Sequence, residues 1–463
     1  MKRLALALAL LSGACTLVGP DYERPAQVLP ADYPEVPAGA GGPLRADWWT
    51  LYNDATLDEL IASAQARNAE ARLAAAQVEE AEAALREIDA TFYPQIDGGV
   101  TANRTAFSTL TALPNVRPLV RSDRRLAAST SFEIDFWGRL RRGAEAARAQ
   151  ALATRYGRDV IALSLAGTAA QVYFALRSSD AQIAVVRETY KARADTLELV
   201  RNRVAGGIAS PLDTAQAQGA LADAAVQLKD LERQRRLFEH QLGQLSGRLD
   251  LRIAAGSLET LPVPPVPPAG LPSALLERRP DVRAAEQNLV AANARIGVAR
   301  AAMFPSISLT GSLGGQSAAV SDLLLTGARI WSLGFGLALP LFDGGRLAAR
   351  TEQAEARARQ SVAGYQKAVE AAFRETADAI TNLEQTTATE ADLRTRVEAA
   401  REALSISRTR YGAGYSGYLE VLDAQRTAND AELALARNRQ ARLAYSVDLM
   451  KALGGGWVAG TPP

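Results

Sequence analysis

The feature that most constrains the fold of this 463-residue chain is an internal duplication. The segment RNAEARLAAAQVEEAEAALREIDATFYPQI, from Arg67, aligns with RRPDVRAAEQNLVAANARIGVARAAMFPSI, from Arg278. Farther on, RVAGGIASPLDTAQAQ, from Arg203, aligns with RYGAGYSGYLEVLDAQ, from Arg410. Two tandem copies of about 200 residues therefore make up most of the chain, and each is expected to be one structural repeat.

Each copy contains two segments that alternate between apolar and polar residues, which is the period of a β-strand. The predicted strands cover about residues 95–106 and 124–137 in copy one, and about 306–313 and 331–341 in copy two. In the second strand Phe132 and Ile134 fall on one face, and Glu133 and Asp135 fall on the other. Strands of about ten residues with these two faces are typical of a membrane barrel, so Glu133 and Asp135 are expected to face a water-filled lumen. The alternative is a soluble hairpin with one buried face.

Long helical segments free of proline follow each predicted hairpin, at residues 138–203 and 345–410. At 1.5 Å per residue each predicts a helix of about 100 Å, far longer than a compact domain needs. Both segments end in a glycine-rich turn and reverse. In copy one Ser210 and Pro211, with Asp213 two residues on, have the pattern of a helix N-terminus. A shorter helix, from Thr56 to about Ala90, precedes the first hairpin and is ended by Pro94.

These patterns predict an α+β membrane protein with the following domain boundaries. Repeat 1 covers 56–248, a proline-rich linker covers 249–272, repeat 2 covers 273–453, and a tail covers 454–463. Four strands per chain cannot close around a lumen, and open strand edges are not tolerated in lipid. We therefore expect a homotrimer with a twelve-stranded transmembrane β-barrel, continued by an α-helical barrel. No later segment has about 18 uninterrupted apolar residues, so no transmembrane helix is expected.

The N-terminus is typical of a bacterial lipoprotein signal. Lys2 and Arg3 precede a short apolar stretch, and small residues lead to Cys15, the only cysteine. Residues 1–14 are the predicted signal peptide, and 15–55 are a predicted extended segment that starts at an acylated cysteine carrying S-diacylglycerol and an N-acyl chain. Ser12 departs from the usual leucine three residues before the cysteine, so an ordinary secretory signal is the alternative. Thr16, rather than Asp, after the cysteine favours the outer membrane.

Composition excludes several functions. With 52 basic and 51 acidic residues the chain has no cationic surplus to bind nucleic acid. One cysteine and one histidine cannot form a disulfide framework or a zinc cluster within a chain, so no metal, no cofactor and no enzyme activity are predicted.

Several motifs together resemble the TolC-like outer-membrane efflux proteins, in particular their NodT-type lipoprotein branch. These are VGPDYERP after the cysteine, DWWTLYNDATLDELIASAQARN from Asp47, FYPQI, MFPSI, FDGGR from Phe342, and RYGAGYSGYLEVLDAQR from Arg410. The resemblance implies a trimeric exit duct in the Gram-negative outer membrane with a periplasmic helical extension. It also implies two partners, a periplasmic adaptor and an inner-membrane transporter, expected to be proton-driven, besides the outer-membrane lipid.

The resemblance also implies positions for two functional regions. Leu419, Asp423 and Arg426, at the start of the last helix, are expected to narrow the periplasmic aperture. Copy one keeps Leu212 but has Gln216 and Gly219 at the other two positions. The helix tips are expected to contact the adaptor through Arg203, Gly206, Gly207, Arg410, Gly412 and Gly414.

Three alternatives remain on the sequence alone. For the aperture residues, the alternative is an exposed charged helix face with an ordinary pair within the helix. For the whole chain, one alternative is a duct of the type I secretion kind that exports proteins. The other is a periplasmic coiled-coil scaffold without a channel, which would not need lipid-facing strands.

Overall fold

The two predicted hairpins pair with each other in one four-stranded antiparallel sheet of order β1-β2-β3-β4. The strands are β1, Gln95–Ala106; β2, Val120–Ile134; β3, Ser306–Ser317; and β4, Arg329–Ala338. The central pairing joins the two repeats, since Phe132 of β2 lies opposite Leu309 of β3. The computed structural model describes residues 17–26, 30, 45–108, 110, 120–264 and 275–456. Cys15 and the predicted signal peptide lie outside these residues.

The strands differ from the predicted ones in their limits. β2 begins four residues before the predicted start, because Val120 to Asp123 continue the ladder with β1. It ends at Ile134 instead of residue 137, because the chain turns there toward the next helix. β3 runs to Ser317, four residues beyond the predicted end, and β4 begins at Arg329 and ends at Ala338.

The helices occupy the remaining parts of each repeat. They are α1, Ala55–Arg67; α2, Ala69–Ala90; α3, Arg139–Ala205; α4, Pro211–Ser246; α5, Pro280–Ala301; α6, Arg346–Gly412; and α7, Tyr418–Ala452. The two longest helices, α3 and α6, both have 67 residues, which confirms the long helical segments expected in each copy. The helix predicted from Thr56 to Ala90 is interrupted at Asn68, whose backbone is extended (ψ 140°).

The chain forms two structural units. Unit 1 consists of Met1–Ala26, Val78–Thr154 and Ala284–Tyr365, and it contains the sheet. Unit 2 consists of Gln27–Gln77, Arg155–Arg283 and Gln366–Pro463.

In unit 1, aromatic side chains join the two hairpins near the helical end of the sheet. The Trp137 ring stacks on Phe304 with ring centroids 4.7 Å apart, and its indole N–H donates to the Pro305 carbonyl at 2.8 Å. Phe304 and Pro305 belong to the MFPSI motif of the second repeat, so this motif links the two repeats and also lies at the end of a helix.

The VGPDYERP segment of unit 1 is fixed by charge and by close backbone packing. Arg24 forms an ion pair with the buried Glu286 of α5 at 2.6 Å, and Asp21 pairs with the buried Arg142 of α3 at 2.6 Å. Gly19 has a φ of +103°, and a Cβ there would lie 2.5 Å from the Cα of Gly297. Only glycine satisfies both the backbone conformation and the contact.

Unit 2 contains the largest apolar core, and the predicted linker supplies part of it. Leu251, Ile253, Leu258 and Leu261 are buried in this core. Trp48 lies there too, in a short 3₁₀ helix, Trp48–Tyr52, within the segment that was expected to be extended. Residues 249–261 are therefore a packed part of the fold and not a free connection, since each buried leucine or isoleucine contributes about 1.5–3 kcal/mol. Much of the PVPPVPP sequence lies outside the described residues.

Candidate functional site

The helix tips of unit 2 reverse direction with the same hydrogen bonds in both repeats. In the first tip the Ile208 amide donates to the Arg203 carbonyl at 3.0 Å, and Gly207 has a φ of +74°. In the second tip the Tyr415 amide donates to the Arg410 carbonyl at 2.9 Å, and Gly414 has a φ of +81°. This is the Schellman type of helix end, in which a left-handed glycine lets the last carbonyls find donors.

The return helices start differently in the two repeats. Ser210 caps α4: its hydroxyl accepts from the Leu212 amide at 3.2 Å, and Asp213 accepts from the Ser210 amide at 3.1 Å. This capping box, with Pro211 in the first turn, confirms the helix start predicted from the sequence. Gly417 occupies the corresponding position before α7 and supplies no side-chain cap.

Two arginines at equivalent positions of the tips have different partners. Arg203 reaches the other tip, where its guanidinium donates to the carbonyls of Tyr411 at 2.9 Å and Gly412 at 2.8 Å. The same guanidinium lies 4.3 Å from the centre of the Tyr411 ring. Arg410 instead pairs within its own repeat, with Glu420 at 3.1 Å. Arg203 therefore holds the two tips together, and we call this set of contacts the tip clamp.

The predicted aperture residues share one exposed face of α7. Leu419, Asp423 and Arg426 are all exposed, at three- and four-residue spacing. Arg426 donates to Asp423 at 3.0 Å, and the two side chains remain 71% and 66% exposed. An exposed pair of this kind contributes about 0.2–1 kcal/mol, so the fold does not depend on it. The structure thus brings the three residues together.

A second, buried face of α7 packs on α3 through polar contacts. The Gln425 amide donates to the Thr196 hydroxyl at 3.4 Å, and the Thr189 hydroxyl donates to Asn429 at 3.1 Å. Arg193 is buried nearby and donates to the Ala220 carbonyl at 2.6 Å. Burial lowers the pKa of the Arg193 guanidinium, an effect that Asp223 and Asp430 oppose through their charges.

The sheet of unit 1 has two chemically different faces, fixed by its register. The apolar face is defined by these large side chains: Ile96, Val100, Leu126, Phe132, Ile134, Ile307, Leu309, Leu313, Trp331, Leu333, Phe335 and Leu337. Most of them are exposed, and Trp331 is 77% exposed. The polar face is defined by small and polar side chains, including Ser129, Ser131, Ser308, Thr310, Ser312 and Ser332. An exposed apolar face of this extent indicates a surface that contacts something other than water.

The two predicted lumen residues have different positions. Glu133 lies on the polar face and pairs with Arg139 at 2.5 Å. Asp135 lies just after β2 and accepts from the amides of Leu140 at 3.1 Å and Arg141 at 2.9 Å. Asp135 is therefore not a strand residue; it satisfies free amides at the start of α3. Asp343 does the same for α6, where the Leu347 and Gly345 amides lower its pKa.

Comparison with known proteins identifies the protein family that has both the helix tips and the two-faced sheet. The sequence model of a family described as outer membrane efflux protein matches residues 60–248 and 271–455, which is most of the chain. The chain belongs to the outer membrane efflux protein family. The two matched segments correspond to the two repeats of the internal duplication.

Similar proteins cover this efflux protein almost from end to end. Outer membrane protein OprJ of Pseudomonas aeruginosa is 35% identical over 464 residues, which cover 98% of this chain and 96% of OprJ. The solvent efflux pump outer membrane protein SrpC of Pseudomonas putida is 32% identical, with 98% of each chain covered. The crystal structure of the open state of the MtrE outer membrane channel of Neisseria gonorrhoeae is similar with a TM-score of 0.86 and 31% identity, covering 97% of this chain and 100% of MtrE.

Family membership confirms three predictions about this efflux protein. It is an exit channel of an efflux system, it resides in the outer membrane of a Gram-negative bacterium, and it is not an enzyme. Channels of this family need no cofactor.

One helix differs from the expectation on membrane spans. Within the described residues, α3 has an 18-residue segment that is long and apolar enough to cross a membrane, although half of it is buried in the fold. Phe174 and Leu176 of α3 are in the core of unit 2. A buried helix in a protein core can have the same length and composition, so α3 is not assigned as a membrane span.

The tip clamp and the polar packing of α7 were not predicted from the sequence. The alignment of Arg203 with Arg410 suggested equal roles, because it compares neighbours along the chain and not across it. Glu420 aligns with Asp213, which is also acidic but accepts from the Ser210 amide at the start of α4, and no local pattern distinguishes these two roles.

Proposed function

We propose that this efflux protein works as a homotrimer in which three four-stranded sheets close one twelve-stranded barrel. The exposed apolar face of the sheet carries this proposal. Exposed side chains such as Leu333 and Phe335 suit contact with lipid, and the serine-rich polar face suits a water-filled lumen. A single sheet with two open edges is not stable in lipid, and three copies remove all edges.

The partners are a periplasmic adaptor and an inner-membrane transporter, expected to be proton-driven, and the chain is anchored by acyl chains on Cys15. The adaptor docks at the helix tips, where Ile208 and Tyr415 expose 74% and 80% of their surface beside the two left-handed glycines. Exposed apolar side chains on a fixed turn are suitable anchors for a protein partner. The anchor at Cys15 rests on the signal sequence, and the charged contacts of the VGPDYERP segment hold the following residues against α3 and α5.

The periplasmic aperture is formed by Leu419, Asp423 and Arg426. Two observations support this aperture. The three side chains share an exposed face of α7, and the first repeat has no equivalent charged pair, since Gln216 and Gly219 occupy the corresponding positions. In a trimer, three Asp423 carboxylates near the axis would repel one another, and the 3.0 Å contact with Arg426 offsets that repulsion.

The exported substrates are small solutes. SrpC is a solvent efflux protein by name, which favours small solutes over secreted proteins as cargo. In the described part of the polar face, small hydroxyl side chains such as Ser308, Thr310 and Ser312 do not form a site specific for one compound, so selection belongs to the transporter.

The test uses the full chain expressed in a Gram-negative host. Heat-modifiable trimers in the outer-membrane fraction, and ion conductance after reconstitution in planar bilayers, are the expected results. A monomer in the soluble fraction would refute the barrel. Labelling with a radioactive fatty acid, compared between the natural chain and Cys15→Ser, tests the anchor separately.

A further inference from the structure

The apolar face of the sheet ends in arginines. We call a row of paired residues whose side chains lie on the same face of the sheet a rung. The register places Arg104, Arg124 and Arg329 on the apolar face, on three successive rungs at the end of the sheet farthest from α3. Arg329 shares a rung with Leu126 through Gly315, Arg124 is one rung farther, and Arg104 is one rung beyond that. We call these three residues the arginine rim.

Among the described residues, no carboxylate pairs with any arginine of the rim, and Arg124 donates to the Ala318 carbonyl. By sequence, residues 107–119, between β1 and β2, contain no acidic residue and add one more arginine, Arg117. The other face at the same end is different: Arg125 donates to Ser312 at 3.3 Å, and Gln316 donates to Asp123 at 2.7 Å.

The position along the strands matches the surface of a membrane. Successive rungs on one face are about 7 Å apart, so the Arg329 rung lies about 27 Å along the strands from the rung of Ile134 and Leu337. With a strand tilt of about 40° this corresponds to a height of about 21 Å, close to the apolar band of about 25 Å in such barrels. Trp331, one rung below Arg329, is the kind of residue that lies at the interface. The rim is therefore at the level of the lipid headgroups.

We propose that the arginine rim binds the phosphates of the glycolipid that forms the outer leaflet of the outer membrane. This inference rests on the proposed barrel, in which the apolar face meets lipid. A guanidinium presents a rigid fork of donors that fits a phosphate, and it is the side chain best suited to this ligand. Arg104 and Arg124 have Cα atoms about 8 Å apart, so both can reach the phosphates of one headgroup.

A general role in solubility does not explain this arrangement. Charges that only hydrate the outer mouth would be as effective on the polar face, where water fills the lumen. On the apolar face, an arginine is tolerated only near the interface, so the rim arginines lie beside lipid headgroups and not beside the water of the lumen. Six arginines and two aspartates occupy residues 100–130 and 310–335, so the whole outer end is suited to an anionic surface.

The experiment compares two double variants of the full-length trimer. Arg124→Gln/Arg329→Gln removes two charges from the rim, and Arg121→Gln/Arg125→Gln removes two charges from the polar face at the same end of the sheet. Purified trimers are incubated with phosphatidylcholine vesicles containing either diphosphoryl lipid A or enzymatically dephosphorylated lipid A. Retained glycolipid is then measured by native mass spectrometry.

The natural trimer should retain the phosphorylated form, and the rim variant should bind it about tenfold or more weakly, since a charged hydrogen bond of this kind contributes about a factor of ten. The polar-face variant should change binding less than about twofold. Equal retention of dephosphorylated lipid A, or equal losses in the two variants, would overturn the proposal. Trimer formation and conductance of the same samples report on the barrel itself: conducting trimers without phosphate selectivity refute only the rim, whereas a chain that forms no trimer refutes the proposed barrel and the rim together.

Discussion

The tip clamp gives a prediction whose magnitude follows from the structure. In Arg203→Ala the second tip loses two hydrogen bonds from a charged donor and the stacking on Tyr411. At this half-buried position each hydrogen bond contributes about 1 kcal/mol and the stacking about 0.5 kcal/mol. The tip should therefore open more easily by about 2.5 kcal/mol, which is about 50-fold.

Amide hydrogen exchange measures this opening directly. The amides of Gly414 and Tyr415 are hydrogen-bonded within the second tip and exchange only when it opens. Mass spectrometry of a peptide covering residues 404–420 should show about 50-fold faster exchange in Arg203→Ala. Arg203→Lys keeps the charge without the fork of donors, so exchange should be intermediate, at about tenfold.

The duplication supplies the control. Arg410→Ala removes the equivalent arginine of the second tip, whose exposed pair with Glu420 contributes at most about 1 kcal/mol, so exchange should rise less than about fivefold. Equal acceleration in Arg203→Ala and Arg410→Ala, or less than about threefold in Arg203→Ala, would show that Arg203 does not hold the tips together.

Three further predictions concern the aperture, the N-terminal segment and a half-buried carboxyl. Asp423→Ala should raise single-channel conductance in planar bilayers and leave the free energy of unfolding within about 0.5 kcal/mol, because the pair with Arg426 is exposed. Gly19→Ala should release the VGPDYERP segment, at a cost of about 2 kcal/mol or more, and increase its proteolysis. Burial raises the pKa of the Asp448 carboxyl, so the folded protein holds that proton more tightly than the unfolded chain, and the ionised group is unfavourable above the raised pKa. Asp448→Asn, which keeps a partner for Gln171, should stabilise the protein by about 0.5 kcal/mol at pH 7, and the gain should disappear as the pH falls through the raised pKa.

Matched controls separate these effects from general ones. Gln216→Ala, at the position of the first repeat equivalent to Asp423, should not change conductance, and unchanged conductance in Asp423→Ala would remove that residue from the aperture. Gly143→Ala introduces a Cβ with no atom within 4 Å, so equal proteolysis of the two glycine variants would contradict the argument from close packing. Asp378→Asn changes an exposed carboxylate, and a gain in stability there as large as in Asp448→Asn would show that burial is not the cause.

The local pattern of the sequence determined most of the fold. Alternation predicted four strands, and the absence of proline predicted two long helices, because these periodicities depend on neighbours in the chain. The strand limits were less accurate. Whether Val120 to Asp123 belong to a strand depends on the partner strand, and whether Asp135 does depends on the amides that follow it.

The structural roles of some residues depend on tertiary contacts that the sequence pattern does not show. Leu251 and Ile253 were assigned to a linker because the segment is rich in proline, yet they are buried in the core of unit 2. The same holds for the arginines. On the sequence Arg203 and Arg410 are equivalent. Which helix end lies within reach of Arg203, and how close Arg104, Arg124 and Arg329 lie to one another across the strands, are consequences of packing and register, because contacts between residues far apart in the chain leave no periodic signal in it.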